Sequence, residues 1–337
     1  MIKELLVKVA SNQNLTYDEA KTAIDEIMSG DVSQTMTASF LTALAMKGET
    51  EEEIAGAADG MRSKAMEFNI GGHALDIVGT GGDKSNSFNI STTSALVAAA
   101  AGVSIVKHGN RAASSKSGTA DCLEALGVKI DCEPEVMKKS LDENNIAFLF
   151  AQKYHSAMRF VGPVRKEIGI RTVFNILGPL TNPGKADRMV LGVFSEEYVE
   201  KIAKALVKLG VTDAMVVYGM DCLDEISATA ETKVAEVRGE NIKYYTIKPE
   251  DFGFERVAKE EILGGTPQEN AEITTAILQG RGTKAQNTAV ILNAGAAIYA
   301  GILGYTLEDS IKKAEEIIKS GKAYETLQGF IKTTNEG

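Results

Sequence analysis

The sequence predicts an α/β protein: a small helical N-terminal domain followed by a larger α/β domain with a mostly parallel central sheet and flanking helices. Three observations carry this. The first 70 residues show helical spacing and no strand. From Leu75 onward short apolar runs alternate with glycine-rich loops and helices, the texture of a parallel sheet with helices on its faces. At 337 residues and 44% hydrophobic content, the chain is long enough to bury a full core.

The elements follow in order. Thr16 to Glu19 and Thr50 to Glu53 both match the Thr-x-x-Glu capping box, which satisfies the free amides of a first helical turn. Between them "SQTMTASFLTALAMKG" has helical apolar spacing and stops at Gly48. The runs "LDIV", "VSIV", "IAFLF", "MVLGVF" and "AMVVYG" read as strands with ligand loops at their carboxyl ends. Residues 155 to 185 interrupt that alternation with prolines and cations, and read as a crossing or hinge. The expected division is a helical domain over 1–70, joined by part of 155–185, and an α/β domain over 71–337.

Composition narrows the function. A formal charge of −10 argues against a general nucleic-acid or anionic-membrane surface. Cations nevertheless cluster. Lys107, Arg111 and Lys116 face no acid between 107 and 120, and Lys153, Arg159, Arg165, Lys166 and Arg171 face Glu167 alone between 151 and 175. Such islands suit a small anionic ligand. No apolar run of about 18 residues is present to span a bilayer, and the N-terminus lacks a signal-peptide core, so a cytoplasmic protein is expected. Cys122, Cys132 and Cys222 are too scattered for a disulfide framework or a zinc site.

Four segments could carry chemistry. In "LDIVGTGGDKSNSFNISTTSALVAAAAG" a strand runs into Gly79, Gly81 and Gly82, where backbone amides can approach a ligand, and a helix is expected to begin near Ser91. Asn89, Ser91, Thr92 and Thr93 add donors and an oxygen ligand for a metal. The pattern is neither a Rossmann GxGxxG nor a P-loop, and taken alone it is equally a tight turn with helix capping. In "KHGNRAASSKSGTAD" a second loop, read as Lys107 to Gly118, follows a strand and leads into a helix ending before Gly127. Lys107 and Arg111 can neutralise phosphate there, while Ser114, Ser115, Ser117 and Thr119 donate hydrogen bonds.

In "VVYGMDCLDEIS" Asp224 and Glu225 follow a strand. They can face a hard cation such as Mg²⁺, which keeps phosphate oxygens and water as further ligands; otherwise the pair is a solvated turn. In "GPVRKEIG" Arg165 can clamp a planar carboxylate bidentately, or pair with Glu167 or Asp187. No HExxH, Cys/His spacing or GxSxG is present, so neither zinc nor acyl-enzyme chemistry is indicated, and no residue is assigned as a general base.

Together "GTGGD", "NIST", "KHGNR", "SSKSGTAD", "GPVRKEIGIRTVFNILGPLTNPG" and "LDE", with "NTAVILNAGAAIYAG" beyond them, resemble the anthranilate phosphoribosyltransferases of tryptophan biosynthesis in order and over nearly the whole chain. The resemblance implies a two-domain homodimer paired through its helical part. It implies transfer of ribose 5-phosphate from phosphoribosyl pyrophosphate to the amino group of anthranilate. Carried over, Gly79, Gly82, Asp83, Ser87, Asn89, Ser91, Thr92, Lys107, Asn110, Arg111, Ser115 and Thr119 would bind phosphoribosyl pyrophosphate. Ser91, Asp224 and Glu225 would hold magnesium, and Gly79, His108, Asn110 and Arg165 would meet anthranilate. Ser87 stands where threonine is common in the family and Thr119 where serine is, and both keep the hydroxyl. The alternatives are a pyrimidine nucleoside phosphorylase, which shares the basic loop, and a nucleic-acid-binding relative without activity. The charge of −10 and the intact acidic pair oppose the latter.

Overall fold

The structure is a computed structural model that describes residues 1–112 and 115–337. Four helices precede any strand: α1 (Ile2–Ala10), α2 (Tyr17–Ser29), α3 (Gln34–Lys47) and α4 (Glu51–Arg62). Both capping boxes form. Thr16 and Thr50 accept the Glu19 and Glu53 amides at 3.3 Å, and each glutamate accepts the threonine amide at 2.8 Å. Glu53 is fully buried and satisfied, accepting also from Lys47 Nζ and the Leu15 amide at 2.8 Å, so one carboxylate ties α3, α4 and the α1–α2 loop together.

The α/β part runs β1 (Leu75–Gly79), α5 (Ile90–Ala100), β2 (Ile105–Gly109), α6 (Thr119–Ala125), α7 (Pro134–Asn144) and β3 (Ile146–Phe150). Three short helices, α8 (Ala151–Tyr154), α9 (Gly162–Ile168) and α10 (Phe174–Leu180), bridge to β4 (Arg188–Gly192), α11 (Glu197–Lys208) and β5 (Asp213–Gly219). A hairpin, β6 (Thr232–Arg238) and β7 (Asn241–Ile247), precedes α12 (Pro267–Leu278), α13 (Lys284–Gly301), α14 (Leu307–Ser320) and α15 (Lys322–Glu336).

The seven strands form one sheet in the order β3-β2-β1-β4-β5-β6-β7. The five strands read from sequence are parallel, and β6 and β7 add an antiparallel edge. Because strand side chains alternate between faces, neighbouring residues of β4 and β5 serve two cores. Val190, Met215 and Val217 pack with α5, α13 and α14; Met189, Leu191, Ala214 and Val216 pack with α11 and the N-terminal helices. That second core also takes Val161, Val173, Phe174, Ile176, Leu177 and Leu180 from the bridge. Arg62 of α4 donates to the Leu180 carbonyl at 2.7 Å. The helical bundle is thus packed on the sheet's second face through the bridging segment.

The strand order places β1 between β2, reached by a crossover in one direction, and β4, from which the chain winds in the other. This is a topological switch point, where the loops on either side diverge and leave a crevice beyond the carboxyl ends of the strands.

Candidate active site

Gly79 of β1 and Gly192 of β4 are register partners at the switch point. The segment after β5 folds back over both. A Cβ on Gly79 would lie 2.3 Å from Asp224 Oδ2, and one on Gly192 would lie 1.6 Å from the Asp224 carbonyl oxygen, so neither position admits a side chain without displacing Asp224. Asn293 of α13 holds this segment from behind. Its Oδ1 accepts the Ile226 amide and its Nδ2 donates to the Ile226 carbonyl, each at 2.9 Å in a buried setting.

Asp224 and Glu225 are therefore buried at 8% exposure and not a solvated turn. Asp224 Oδ2 accepts the Gly81 amide at 2.6 Å, and Glu225 Oε1 accepts the Ser91 amide at 3.2 Å in the first turn of α5. Burial pushes the Asp224 carboxyl well above its ordinary range, and the charges of Asp83 and Glu225 push it further. Burial raises Glu225 to about 7, against the opposing pull of Lys107. Asp83 Oδ2 is buried with no hydrogen-bond partner among the described residues. Carboxylate oxygens crowded in this way fit a hard divalent cation, which favours their ionised form. Among the described residues no three His, Cys, Asp or Glu side chains form a ready cage. Two carboxylates beside phosphate oxygens and water are the donor set typical of magnesium.

Lys107 and His108 lie on β2, which pairs with β3 as far as Gly109, and not in the loop to which the sequence reading assigned them. Both are consequently buried. Lys107 Nζ donates to the Ile77 carbonyl and, at 3.4 Å, to Ser91 Oγ. Burial lowers its affinity for a proton, while Asp76, Glu225 and Asp224 raise it. It lies beneath the glycine loop as the cation facing those buried carboxylates.

The two loops join side by side. Asn89 Oδ1 accepts Ser117 Oγ at 3.1 Å and Asn270 Nδ2 at 2.8 Å, and Asn89 Nδ2 donates to the Ser117 carbonyl at 3.4 Å. Asp121 closes the second loop by accepting the Ala112 and Gly118 amides at 2.8 and 2.9 Å. Arg111 is exposed and paired with Asp121 at 3.1 Å and with Glu124. Asn110 Oδ1 accepts the Arg111 amide at 2.8 Å, Ser115 Oγ donates to the Ser117 carbonyl at 3.4 Å, and Thr119 opens α6. In the first loop Ser87 Oγ accepts from Ser85 at 3.1 Å, Gly82 has φ +76°, and Thr92 Oγ1 is buried without a described partner. Ser114 lies outside the described residues.

On the bridge, Arg165 of α9 is half-buried with its guanidinium 5.6 Å from the Phe174 ring centre. It pairs with neither Glu167 nor Asp187; Asp187 instead bonds His73 and the Ala74 amide. Burial alone lowers its pKa, so no described anion compensates this cation. The His108 and His155 rings pack against each other at 5.0 Å between centres, their planes tilted by 55°. His108 Nδ1 donates to the Gly178 carbonyl at 3.2 Å and His155 Nε2 to the Thr181 carbonyl at 2.9 Å, which leaves His108 Nε2 and His155 Nδ1 as buried lone pairs without described partners. Burial, with His155 and Lys107 adding to it, brings His108 down to about 3. At neutral pH it is an acceptor and not a cation.

Several contributors carried no sequence assignment. Gly192 is one, signalled by a glycine inside an apolar strand. Asn293 and Asn270 are others, polar residues in helices, and Asn182 donates to Asp76 Oδ2 at 2.8 Å and to the Val106 carbonyl at 2.7 Å.

A sheet crevice with phosphate-type loops and a magnesium-type donor set, next to a bridge that carries an arginine without a described anion, suits an enzyme that handles a phosphorylated substrate with a divalent cation. In agreement, residues 71–324 match the α/β domain model of a glycosyl transferase family, and residues 3–65 match that family's helical bundle domain. The anthranilate phosphoribosyltransferase of Methanobrevibacter smithii is 53% identical over 99% of this chain and 100% of its own length. The crystal structure of the enzyme of that name from Thermus thermophilus has a TM-score of 0.93 at 42% identity, covering 98% of this chain and 99% of that one. The Saccharomyces cerevisiae enzyme, solved in complex with phosphoribosyl pyrophosphate and Mg, has a TM-score of 0.91 at 31% identity, covering 100% and 98%. The chain belongs to this glycosyl transferase family, and within it to the anthranilate phosphoribosyltransferases.

Proposed function

We propose that the crevice between β1 and β4 is where this enzyme transfers the 5-phosphoribosyl group of phosphoribosyl pyrophosphate to the amino group of anthranilate. The products are N-(5-phosphoribosyl)anthranilate and pyrophosphate, and the reaction belongs to tryptophan biosynthesis. The observation that carries the reading is the burial of Asp224 and Glu225 against the Gly81 and Ser91 amides at the switch point.

In this reading Gly79, Gly82, Asp83, Ser87, Asn89, Ser91 and Thr92 receive phosphoribosyl pyrophosphate, together with Lys107, Asn110, Arg111, Ser115 and Thr119. Arg111 exchanges its carboxylate partners for phosphate to do so. Ser91, Asp224 and Glu225 hold Mg²⁺, which when bound neutralises phosphate charge and stabilises the departing pyrophosphate. Arg165 clamps the anthranilate carboxylate, and Gly79 and Asn110 line its place. His108 Nε2 accepts an N–H from the amine and orients its lone pair toward the ribose C1. As the C1–N bond forms, the C1–O bond to pyrophosphate breaks and its electron pair leaves with the pyrophosphate; the nitrogen then gives up its proton to the departing pyrophosphate. The loop amides and the N-terminus of α5 stabilise charge that develops on the leaving oxygens. An aromatic amine is a weak base and needs little deprotonation before attack, so positioning supplies much of the acceleration.

We take residues 1–70 with part of 155–185 as one domain and 71–337 as the other, closing about 155–185 to exclude water. We also propose a homodimer formed through the helical part, where Val7 and Met46 leave apolar side chains exposed. A solution mass equal to one chain would overturn the dimer. A cytoplasmic location suits an enzyme of amino-acid biosynthesis, and recovery in a membrane or secreted fraction would count against it. Among the described residues no helix is long and apolar enough to cross a membrane.

The direct test is mass-spectrometric detection of phosphoribosylanthranilate and pyrophosphate after incubation with both substrates and Mg²⁺. The nucleoside phosphorylase alternative is not favoured by the full-length relatives. It is checked in parallel, because base release from thymidine or uridine with phosphate, and no phosphoribosylanthranilate, would reverse the reading.

A further inference from the structure

The bridge brings a further arginine against the glycine loop. Arg171, between α9 and α10, is exposed, yet its guanidinium lies 3.9 Å from the Phe194 ring centre and its Nη2 donates to the Gly82 carbonyl. A flat, stacked guanidinium is held in orientation by the ring beneath it. That ring belongs to the segment leaving β4, and its backbone is tied to the glycine loop: the Phe194 amide donates to Thr80 Oγ1 at 3.1 Å, and the Thr80 amide donates to the Gly192 carbonyl at 2.9 Å. Thr80, Phe194, Arg171 and Gly82 therefore form a closed circuit through β1, β4 and the bridge.

The loop that starts in this circuit runs on through left-handed backbone. Gly81 and Gly82 take φ of +70° and +76°, which glycine adopts at little cost, and Lys84 and Asn86 just beyond the circuit take +60° and +54°. Those two non-glycine residues need surrounding contacts to hold them there, and the anchored Gly82 stands next to them. A Cβ on Gly82 would lie 3.2 Å from Arg171 Nη2, so the missing side chain also lets the guanidinium approach. In a trans peptide the carbonyl and the following N–H point in opposite directions. Anchoring the Gly82 carbonyl on Arg171 therefore turns the Asp83 amide away from the bridge.

We propose that Arg171 is a positioning residue for phosphoribosyl pyrophosphate, acting through the glycine loop: the Phe194-stacked guanidinium holds residues 80–83 in the conformation that receives the pyrophosphate and couples that loop to the bridge. The assignment rests on the reading that this loop binds phosphoribosyl pyrophosphate.

The test is calorimetric binding of Mg²⁺-phosphoribosyl pyrophosphate to the full chain without anthranilate, with amide hydrogen exchange over residues 79–86 of the ligand-free protein. Arg171→Ala is expected to weaken binding about tenfold, the weight of one charge-assisted hydrogen bond. It should speed exchange in the loop and leave the anthranilate KM unchanged. Phe194→Leu, which removes the platform and keeps the arginine, is expected to move both readouts in the same direction, and it serves if the first variant does not fold. Weakened binding with unchanged exchange would make Arg171 a direct ligand of the pyrophosphate and overturn the positioning role. Unchanged binding in both variants, with the wild type binding normally, would overturn it as well. A wild type that does not bind phosphoribosyl pyrophosphate would sink the underlying reading and the assignment with it.

Discussion

Asp224 and Glu225 share a buried crevice with Asp83, and their carboxyls are ionised at low cost only when a cation is close. Asp224→Asn combined with Glu225→Gln keeps the shapes and the amide contacts but removes both charges. Magnesium-stimulated turnover is expected to fall at least about a hundredfold, within the range seen for loss of charge stabilisation in a transition state. A magnesium titration of the initial rate reads this out, and an unchanged dependence would place the metal elsewhere. Arg165 is the complementary case, a half-buried cation with no described anion. Arg165→Ala should raise the anthranilate KM by about tenfold or more, since bidentate carboxylate pairing is lost, with little change in the KM for phosphoribosyl pyrophosphate. Equal losses for both substrates would argue against the clamp.

Much at this scale was readable in the chain. Glycine, hydroxyl and cation interleaved after a strand gave away the two loops, because that mixture has a local chemical meaning. Lys107 and His108 were misplaced because a strand end is set by its partner: β2 continues to Gly109 only because β3 continues to Phe150 beside it.

The element scale turns on β1 and β4 ending in paired glycines beneath Asp224. Gly192→Ala is expected to abolish measurable transfer while the far-ultraviolet circular dichroism stays native, because the added methyl meets the Asp224 carbonyl oxygen and lifts the acidic segment off the strand ends. Near wild-type turnover in this variant would show that the segment does not need its close seat. Gly192 carried only the weak signal of a glycine inside an apolar strand, for a physical reason: its neighbour lies 32 positions away in sequence, and only sheet order brings the two together. Asn293 was missed in the same way, and Arg171 was read only as one cation of the 151–175 island because its partner Gly82 is remote in sequence. The β6–β7 hairpin did have a local signal, the Gly239-Glu240 turn between "TKVAEVR" and "NIKYYTI", but the charged residues of those strands mask the apolar alternation.

For the whole molecule, the paired histidines His108 and His155 connect stability to pH. Burial brings His155 down to about 4 and His108 to about 3, against 6.5 in the unfolded chain. Between those values the unfolded state binds protons that the native state refuses, so these groups cost stability as pH falls below about 6.5. The raised carboxyls of Asp76 and Glu225 act in the opposite sense, which is why a variant comparison is needed. His155→Gln removes one titrating group and keeps an amide donor for the Thr181 carbonyl. The variant should gain on the wild type in denaturant midpoint as pH drops from 7 toward 4, and a constant difference across that range would show that His155 is not buried in neutral form.

The central claim is that this crevice joins phosphoribosyl pyrophosphate to anthranilate with the help of magnesium. Anthranilate fluorescence, followed with protein, phosphoribosyl pyrophosphate and Mg²⁺ each omitted in turn, tests it most directly. The account predicts a decline that needs all three, releases one pyrophosphate per anthranilate consumed, and is lost in the Asp224→Asn, Glu225→Gln protein. A folded protein that leaves the fluorescence unchanged with all three present would contradict it.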